Sequence, residues 1–260
     1  MLGGLTFSAD GRRLGLELGP TGRLLAAYLI EFPGRLHRRE RLVSIFWPHL
    51  EPDHARAALN TALWRLRKLL AQETANGSSN LLSIGQEVVL EPASWIKVDT
   101  HIFDAGVQAA LRAHSPATAA SDPNALEAAA ESYSGSFLDG CESDWIIGER
   151  ERLHSLYVRC LNELIVAYAT REHYELAIGA ARRILAVDPF RESVLRALAF
   201  LLTLNGQRAQ AIHELRRWAS ALRKEIGIDP MSETSALEKS IISGRIFHEL
   251  SSLTESCFPH

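Results

Sequence analysis

Apolar positions alternate at the start of the chain and take helical spacing over most of the remainder. From Leu2 to Leu18 the run is short and alternating, with Leu14, Leu16 and Leu18 on one face and Ala9-Asp10-Gly11 as a turn, which predicts a small β-hairpin or sheet. Gly19-Pro20-Thr21 breaks that pattern. Leu24, Leu25, Tyr28, Leu29 and Phe32 then recur at helical spacing until Pro33-Gly34 stops them. A second helix is predicted from about Arg38 to Trp47, ended by Pro48, and a third over Ala55–Leu70, with Asp53 as its N-cap. Two β-prone runs, Leu81–Ile84 and Glu87–Leu90, flank a Gly85-Gln86 turn and read as a hairpin. Strands, three short helices and a hairpin, in that order, make a winged helix-turn-helix.

Beyond Val98 the pattern is helical almost throughout. Asp-Pro occurs at Asp122-Pro123, Asp188-Pro189 and Asp229-Pro230, and each is expected to open a helix, with a capping oxygen before a proline that needs no N–H in the first turn. Gly206 is expected to stop one. The run HYELAIGAARR (173–183) aligns with QRAQAIHELRR (207–217) at an offset of 34 residues, matching Ala177 with Ala211, Ile178 with Ile212, and Arg182 and Arg183 with Arg216 and Arg217. That is the tetratricopeptide period, in which a small residue at a fixed place lets paired antiparallel helices approach closely. Two helix pairs are expected, near 155–188 and 191–226. The fold class is thus mainly α. A small α+β winged helix-turn-helix over residues 1–97 precedes an all-α tetratricopeptide-like domain over 98–245 and a tail over 246–260.

Charge divides the same way. Residues 1–75 carry 11 Arg/Lys against 7 Asp/Glu, whereas the remainder carries 17 against 24. A basic segment joined to an acidic one fits a nucleic-acid-binding domain attached to a domain that does not bind nucleic acid. No apolar run is long enough to span a membrane and no signal peptide opens the sequence, which places the chain in the cytoplasm, off the membrane. Three widely spaced cysteines, Cys141, Cys160 and Cys257, form neither a disulfide framework nor a metal knuckle. Catalytic and nucleotide-binding signatures are missing: there is no GxSxG, HExxH, Walker A or GxGxxG, and no cofactor is implied. The acidic run Glu142, Asp144, Glu149 and Glu151 reads as a solvated face, with Trp145 and Ile146 turned inward.

On a helical wheel Leu59, Ala62, Leu63, Leu66 and Leu70 share the buried side of the third helix. Opposite them stand Ala57, Asn60, Thr61, Trp64, Arg65 and Lys68, a set suited to the major groove of double-stranded DNA: an amide for adenine edges, an arginine for guanine and a lysine for phosphate. For Trp64 the alternative is packing against the wing or the next domain. Arg38, Arg39 and Arg41 open the second helix, where side chains and backbone N–H groups can hold phosphates, and Arg67 is a further phosphate candidate unless it pairs with a neighbour. On this reading Arg65→Ala relaxes preference at one base, while Arg39→Ala weakens binding to all sequences and flattens its salt dependence. An anionic small molecule near His154, Tyr157, Arg182 and Arg183 is a minor reading, since such residues ordinarily form surface pairs. No effector is assigned.

The segment YSGSFLDGCESDWIIGERERL (133–153), with VDTHIF (98–103), AVDPFRE (186–192), NGQRAQA (205–211) and LRKEIGIDP (222–230), resembles the bacterial transcriptional activator domain. The first part, with AYL (27–29), RRERL (38–42), FWP (46–48) and LWRLRKLL (63–70), resembles the OmpR-type DNA-binding domain that precedes it in the SARP family of antibiotic regulatory proteins. Two positions depart from the pattern: Leu215 replaces a common tyrosine, and His37 stands where a Ser or Thr cap is usual. The resemblance implies a sequence-specific DNA-binding transcription regulator, an activator that recruits RNA polymerase or sigma factor and sits as a homodimer on DNA. It also implies that the loop between the second and third helices, with His49, Leu50 and Glu51, touches the polymerase. The rival reading is a tetratricopeptide-like scaffold or ligand-sensing adaptor whose winged helix contacts protein.

Overall fold

The protein is described by a computed structural model covering residues 1–9, 12–13, 18–72, 77–112 and 122–244. The chain forms two compact units, the first from Met1–Ile102 with Ser134–Arg150 and the second from Phe103–Tyr133 with the chain from Glu151 onward.

In the first unit β1 (Ser8–Ala9) pairs antiparallel with β2 (Arg12–Arg13), as the alternating pattern predicts. The turn at Asp10-Gly11, and Leu14 and Leu16, lie outside the described residues. Helix α1 (Gly19–Glu31) takes in the Gly19-Pro20-Thr21 break, because Pro20, lacking an N–H, fits a first turn where N–H groups have no helical partner. Then follow β3 (His37–Arg38), α2 (Arg39–Phe46) and α3 (Pro52–Gln72). The hairpin of β4 (Leu81–Ile84) and β5 (Glu87–Leu90) forms the wing, and β3 adds to it in the order β3-β5-β4. Asp53 does not cap α3. The helix begins at Pro52, so the Asp53 carboxylate lies in the first turn, paired with Arg56 at 3.2 Å.

Leu25 and Leu29 of α1, Leu42 of α2, Leu59, Leu63 and Leu66 of α3, and Leu81, Val88 and Leu90 of the wing make one core. Tyr28 is its aromatic hub, with Phe32, His37, Phe46 and Trp145 around it at 4.9 to 5.6 Å between ring centres. Trp145 comes from the segment 134–150, which lies within the 98–245 domain expected from the sequence but packs in the first unit. Backbone bonds hold that segment to the N-terminus: Gly3 N–H donates to Ser136 O at 2.9 Å and Leu138 N–H to Met1 O at 2.9 Å. The Arg150 guanidinium donates to the carbonyls of Phe137, Leu138 and Cys141 at 3.0 to 3.1 Å. Ile146 is fully buried, as expected, and Glu149 is largely buried too, which leaves Glu142, Asp144 and Glu151 as the solvated part of the acidic run.

In the second unit stand α5 (Pro123–Glu131), α7 (Tyr174–Val187), α8 (Glu192–Leu204), α9 (Arg208–Glu225) and α10 (Ser232–Ser243), with the Phe103–Arg112 part of α4 (Asp99–Arg112) and the Glu151–Ala169 part of α6 (Asp144–Ala169). Ala177 and Ala211, the small residues of the repeat, are both fully buried. Helix α8 is buried all round from Val194 to Leu202 because α7, α9 and α10 cover it. Gly206 ends it with φ of 77°, and Gln207 N–H returns to Leu202 O at 2.7 Å. Of the three Asp-Pro pairs only Asp122-Pro123 opens a helix, its Oδ1 accepting from Asn124 N–H at 3.0 Å. Asp188 instead ends α7, and Asp229 accepts from Arg223 before α10 begins at Ser232. Arg183 pairs with Glu127 and lies over the Tyr157 ring, so the local pairing reading holds for it. Burial pushes the Cys160 thiol up to about 12, which makes it inert. Among the described residues no helix is long and apolar enough to cross a membrane, and no group of His, Cys, Asp and Glu is placed to hold a metal ion.

Candidate nucleic-acid interface

Helix α3 divides as its periodicity predicts. Leu59, Ala62, Leu63, Leu66 and Leu70 are buried, and Ala57, Asn60, Thr61, Trp64, Arg65 and Lys68 are exposed. Trp64 is 60% exposed, with the Lys68 ammonium 5.6 Å from its ring centre, so the indole is not packed into the wing. Thr61 turns its hydroxyl back to donate to Ala57 O at 2.9 Å, which leaves its methyl and an oxygen lone pair facing outward.

The first turn of α2 lies beside this face. Arg38 is the extended N-cap residue and Arg41 is exposed. His37 is not the cap: it lies one residue earlier in β3, buried against Tyr28, which is why a Ser or Thr there would lose core packing. Arg39 is tied in three ways. Its backbone N–H donates to Gln86 O at 3.0 Å and is therefore engaged by the wing, while its guanidinium donates to Asn60 Oδ1 and, at 3.4 Å, to Ser83 Oγ. Arg67 has no acidic partner among the described residues; it donates to Leu81 O at 3.0 Å and to Ser83 Oγ at 2.6 Å. Burial, and then the nearby Arg39 charge, lower its pKa from the usual arginine value.

Two helices, α2 and α3, thus converge on Ser83 of the wing. A lone serine in a four-residue strand carries no mark of its own; its importance depends on two arginines brought to it from α2 and α3. Gln86, a turn residue by pattern, likewise carries no mark of this contact, because its contribution is a main-chain carbonyl. The loop from Pro48 to Pro52 is exposed, Leu50 at 46%, and Glu51 O accepts from Ala55 N–H at 2.9 Å to start α3.

The family model described as the bacterial transcriptional activator domain matches residues 98–242. The chain belongs to this family. It is a SARP-family transcriptional regulator, and members of this family are regulators of transcription rather than enzymes. The transcriptional regulatory protein MoaR1 of Mycobacterium tuberculosis is 24% identical over 250 residues, spanning 93% of this chain and 78% of that protein. The regulatory protein AfsR of Streptomyces coelicolor is 24% identical over 242 residues, 93% of this chain but 24% of AfsR. The structure of Mycobacterium tuberculosis EmbR in complex with a low-affinity phosphopeptide is similar with a TM-score of 0.76 at 22% identity, covering 98% of this chain and 67% of that one. This likeness places the SARP-family regulator in the same fold, a winged helix with a helical activator-type domain.

Proposed function

We propose that this regulator binds double-stranded DNA sequence-specifically through α3 and activates transcription in the cytoplasm by recruiting RNA polymerase. The observation that carries the reading is the outward face of α3, where Asn60, Thr61, Trp64, Arg65 and Lys68 stand exposed beside the arginines of α2. Asn60, Thr61, Trp64 and Arg65 face base edges, and Lys68, Arg38 and Arg41 neutralise phosphates. Arg67 contributes through the wing strand it holds. Two copies occupy adjacent half-sites about one helical turn apart, roughly 10 base pairs. His49, Leu50 and Glu51, exposed between α2 and α3, meet polymerase or its sigma factor.

The test is a binding titration on the DNA upstream of the gene at several salt concentrations. Arg65→Ala is expected to cost about 1–3 kcal/mol on the preferred site and to relax preference at one base. Arg41→Ala weakens all sequences alike and lowers the slope of log affinity against log salt by about 1. A scaffold that uses its winged helix for protein contact gives weak binding, erased by salt, with neither signature. Replacing residues 49–51 by Gly/Ser is expected to abolish activation of a purified transcription system without changing DNA affinity. Unchanged activation removes the loop from the mechanism.

A further inference from the structure

The guanidinium of Arg39 donates to the amide oxygen of Asn60. Arg39 is the first residue of α2 and Asn60 sits in the middle of α3, so the packing of the two helices, not local sequence, brings them together. A guanidinium has five N–H donors and no acceptor. The side of the Asn60 amide facing it must therefore be Oδ1, which decides the orientation of the amide on chemical grounds. A bidentate contact to adenine requires both ends of an asparagine: Oδ1 accepts from N6–H while Nδ2 donates to N7. With one of its two lone pairs held by Arg39, Oδ1 can meet the N6 amino group of adenine only beside a cation, which opposes the approach of that donor. Guanine presents two acceptors on the same edge, N7 and O6, and suits a pair of donors. Ser83, accepting from both Arg39 and Arg67, fixes the Arg39 side chain from the wing side.

We propose that Arg39 and Asn60 act as one donor pair that selects guanine at the base facing them, with Arg39 the residue that sets the choice. The proposal rests on the DNA-binding reading of α3 and revises the expectation that Asn60 reads adenine. Arg39 is then a specificity-determining residue and not solely a phosphate contact.

The experiment is selection from randomised double-stranded DNA by the full chain, wild type beside Arg39→Met, with the position read by Asn60 identified as the one whose preference disappears in Asn60→Ala. The expected wild-type preference there is guanine. Arg39→Met removes the cation beside Oδ1 and shifts the ratio of adenine to guanine at that one position upward by about tenfold or more, the worth of a good bidentate pair. Retained binding to mixed-sequence DNA at low salt checks that the variant is folded. As a second variant, Asn60→Asp keeps a partner for Arg39 but presents only acceptors, and is expected to lose the guanine preference. The proposal is overturned if Arg39→Met lowers affinity for every sequence equally with the base preference intact, or if Asn60→Asp still selects guanine. Failure of the wild type to enrich any sequence overturns the DNA-binding reading itself, and the donor pair with it.

Discussion

His37 is a titratable ring inside the winged-helix core, 2% exposed, and its Nε2 has no hydrogen-bond partner among the described residues. Burial holds its pKa below the ordinary 6.5, and the positive charge of Arg35 and, more weakly, of Arg41 works the same way, against a hydrogen bond to the Phe32 backbone. The folded protein therefore disfavours the protonated ring that the unfolded chain accepts near its ordinary value. The unfolded state binds more protons in this range, so stability rises with pH. The contribution is complete above about pH 6.5 and is lost as the pH falls from there through the depressed folded value. We expect the urea midpoint of the wild type to drop between pH 7.5 and 5.5 more than that of His37→Phe, which keeps an aromatic ring against Tyr28 but cannot take a proton. Equal slopes in the two proteins would show that His37 does not titrate in this window.

At the scale of the element, three identical dipeptides have three different fates. Asp122 caps α5, Asp188 closes α7 beside Arg191, and Asp229 pairs with Arg223 in the turn before α10. An aspartate before proline suits a helix start, yet it also suits a turn, and flanking residues decide which. Where Asp122-Pro123 runs directly into a helical pattern, the cap forms. Where Phe190-Arg191 or Met231 intervenes, the helix starts later, at Glu192 or Ser232. Asp122→Ala is accordingly expected to cost about 1 kcal/mol, whereas Asp188→Ala and Asp229→Ala, which remove exposed ion pairs, cost less than about 0.5 kcal/mol. Chemical denaturation of the three variants ranks them, and an equal loss in all three would mean that the capping bond is not the source.

Over the whole molecule, chain order and spatial order part at residues 134–150, which pack in the first unit. Arg150 holds that segment by three carbonyls, one of them that of Leu138, whose φ of 46° a non-glycine residue rarely adopts. Removing the guanidinium leaves several part-buried carbonyls without a charged donor at once. Arg150→Ala is expected to destabilise the first unit by roughly 2–3 kcal/mol, read as an earlier thermal transition in tryptophan fluorescence. A change below about 0.5 kcal/mol would show the segment to be held by its apolar contacts alone.

The elements of the winged helix, the inward and outward faces of α3, the 34-residue repeat and the basic-to-acidic division were all legible in the sequence, because each depends on residues within a few turns of one another or on composition. Periodicity is a local property, and so is the exposure of Asn60, Trp64 and Arg65 that follows from it. What the sequence could not display was any feature built from residues far apart along the chain. The packing of Trp145 on Tyr28 joins positions more than a hundred residues apart, and the convergence of Arg39, Asn60, Arg67 and Ser83 needs α2, α3 and the wing in place together. A hydrogen bond depends on direction and on a few tenths of an ångström, and only the tertiary packing of separate elements supplies both.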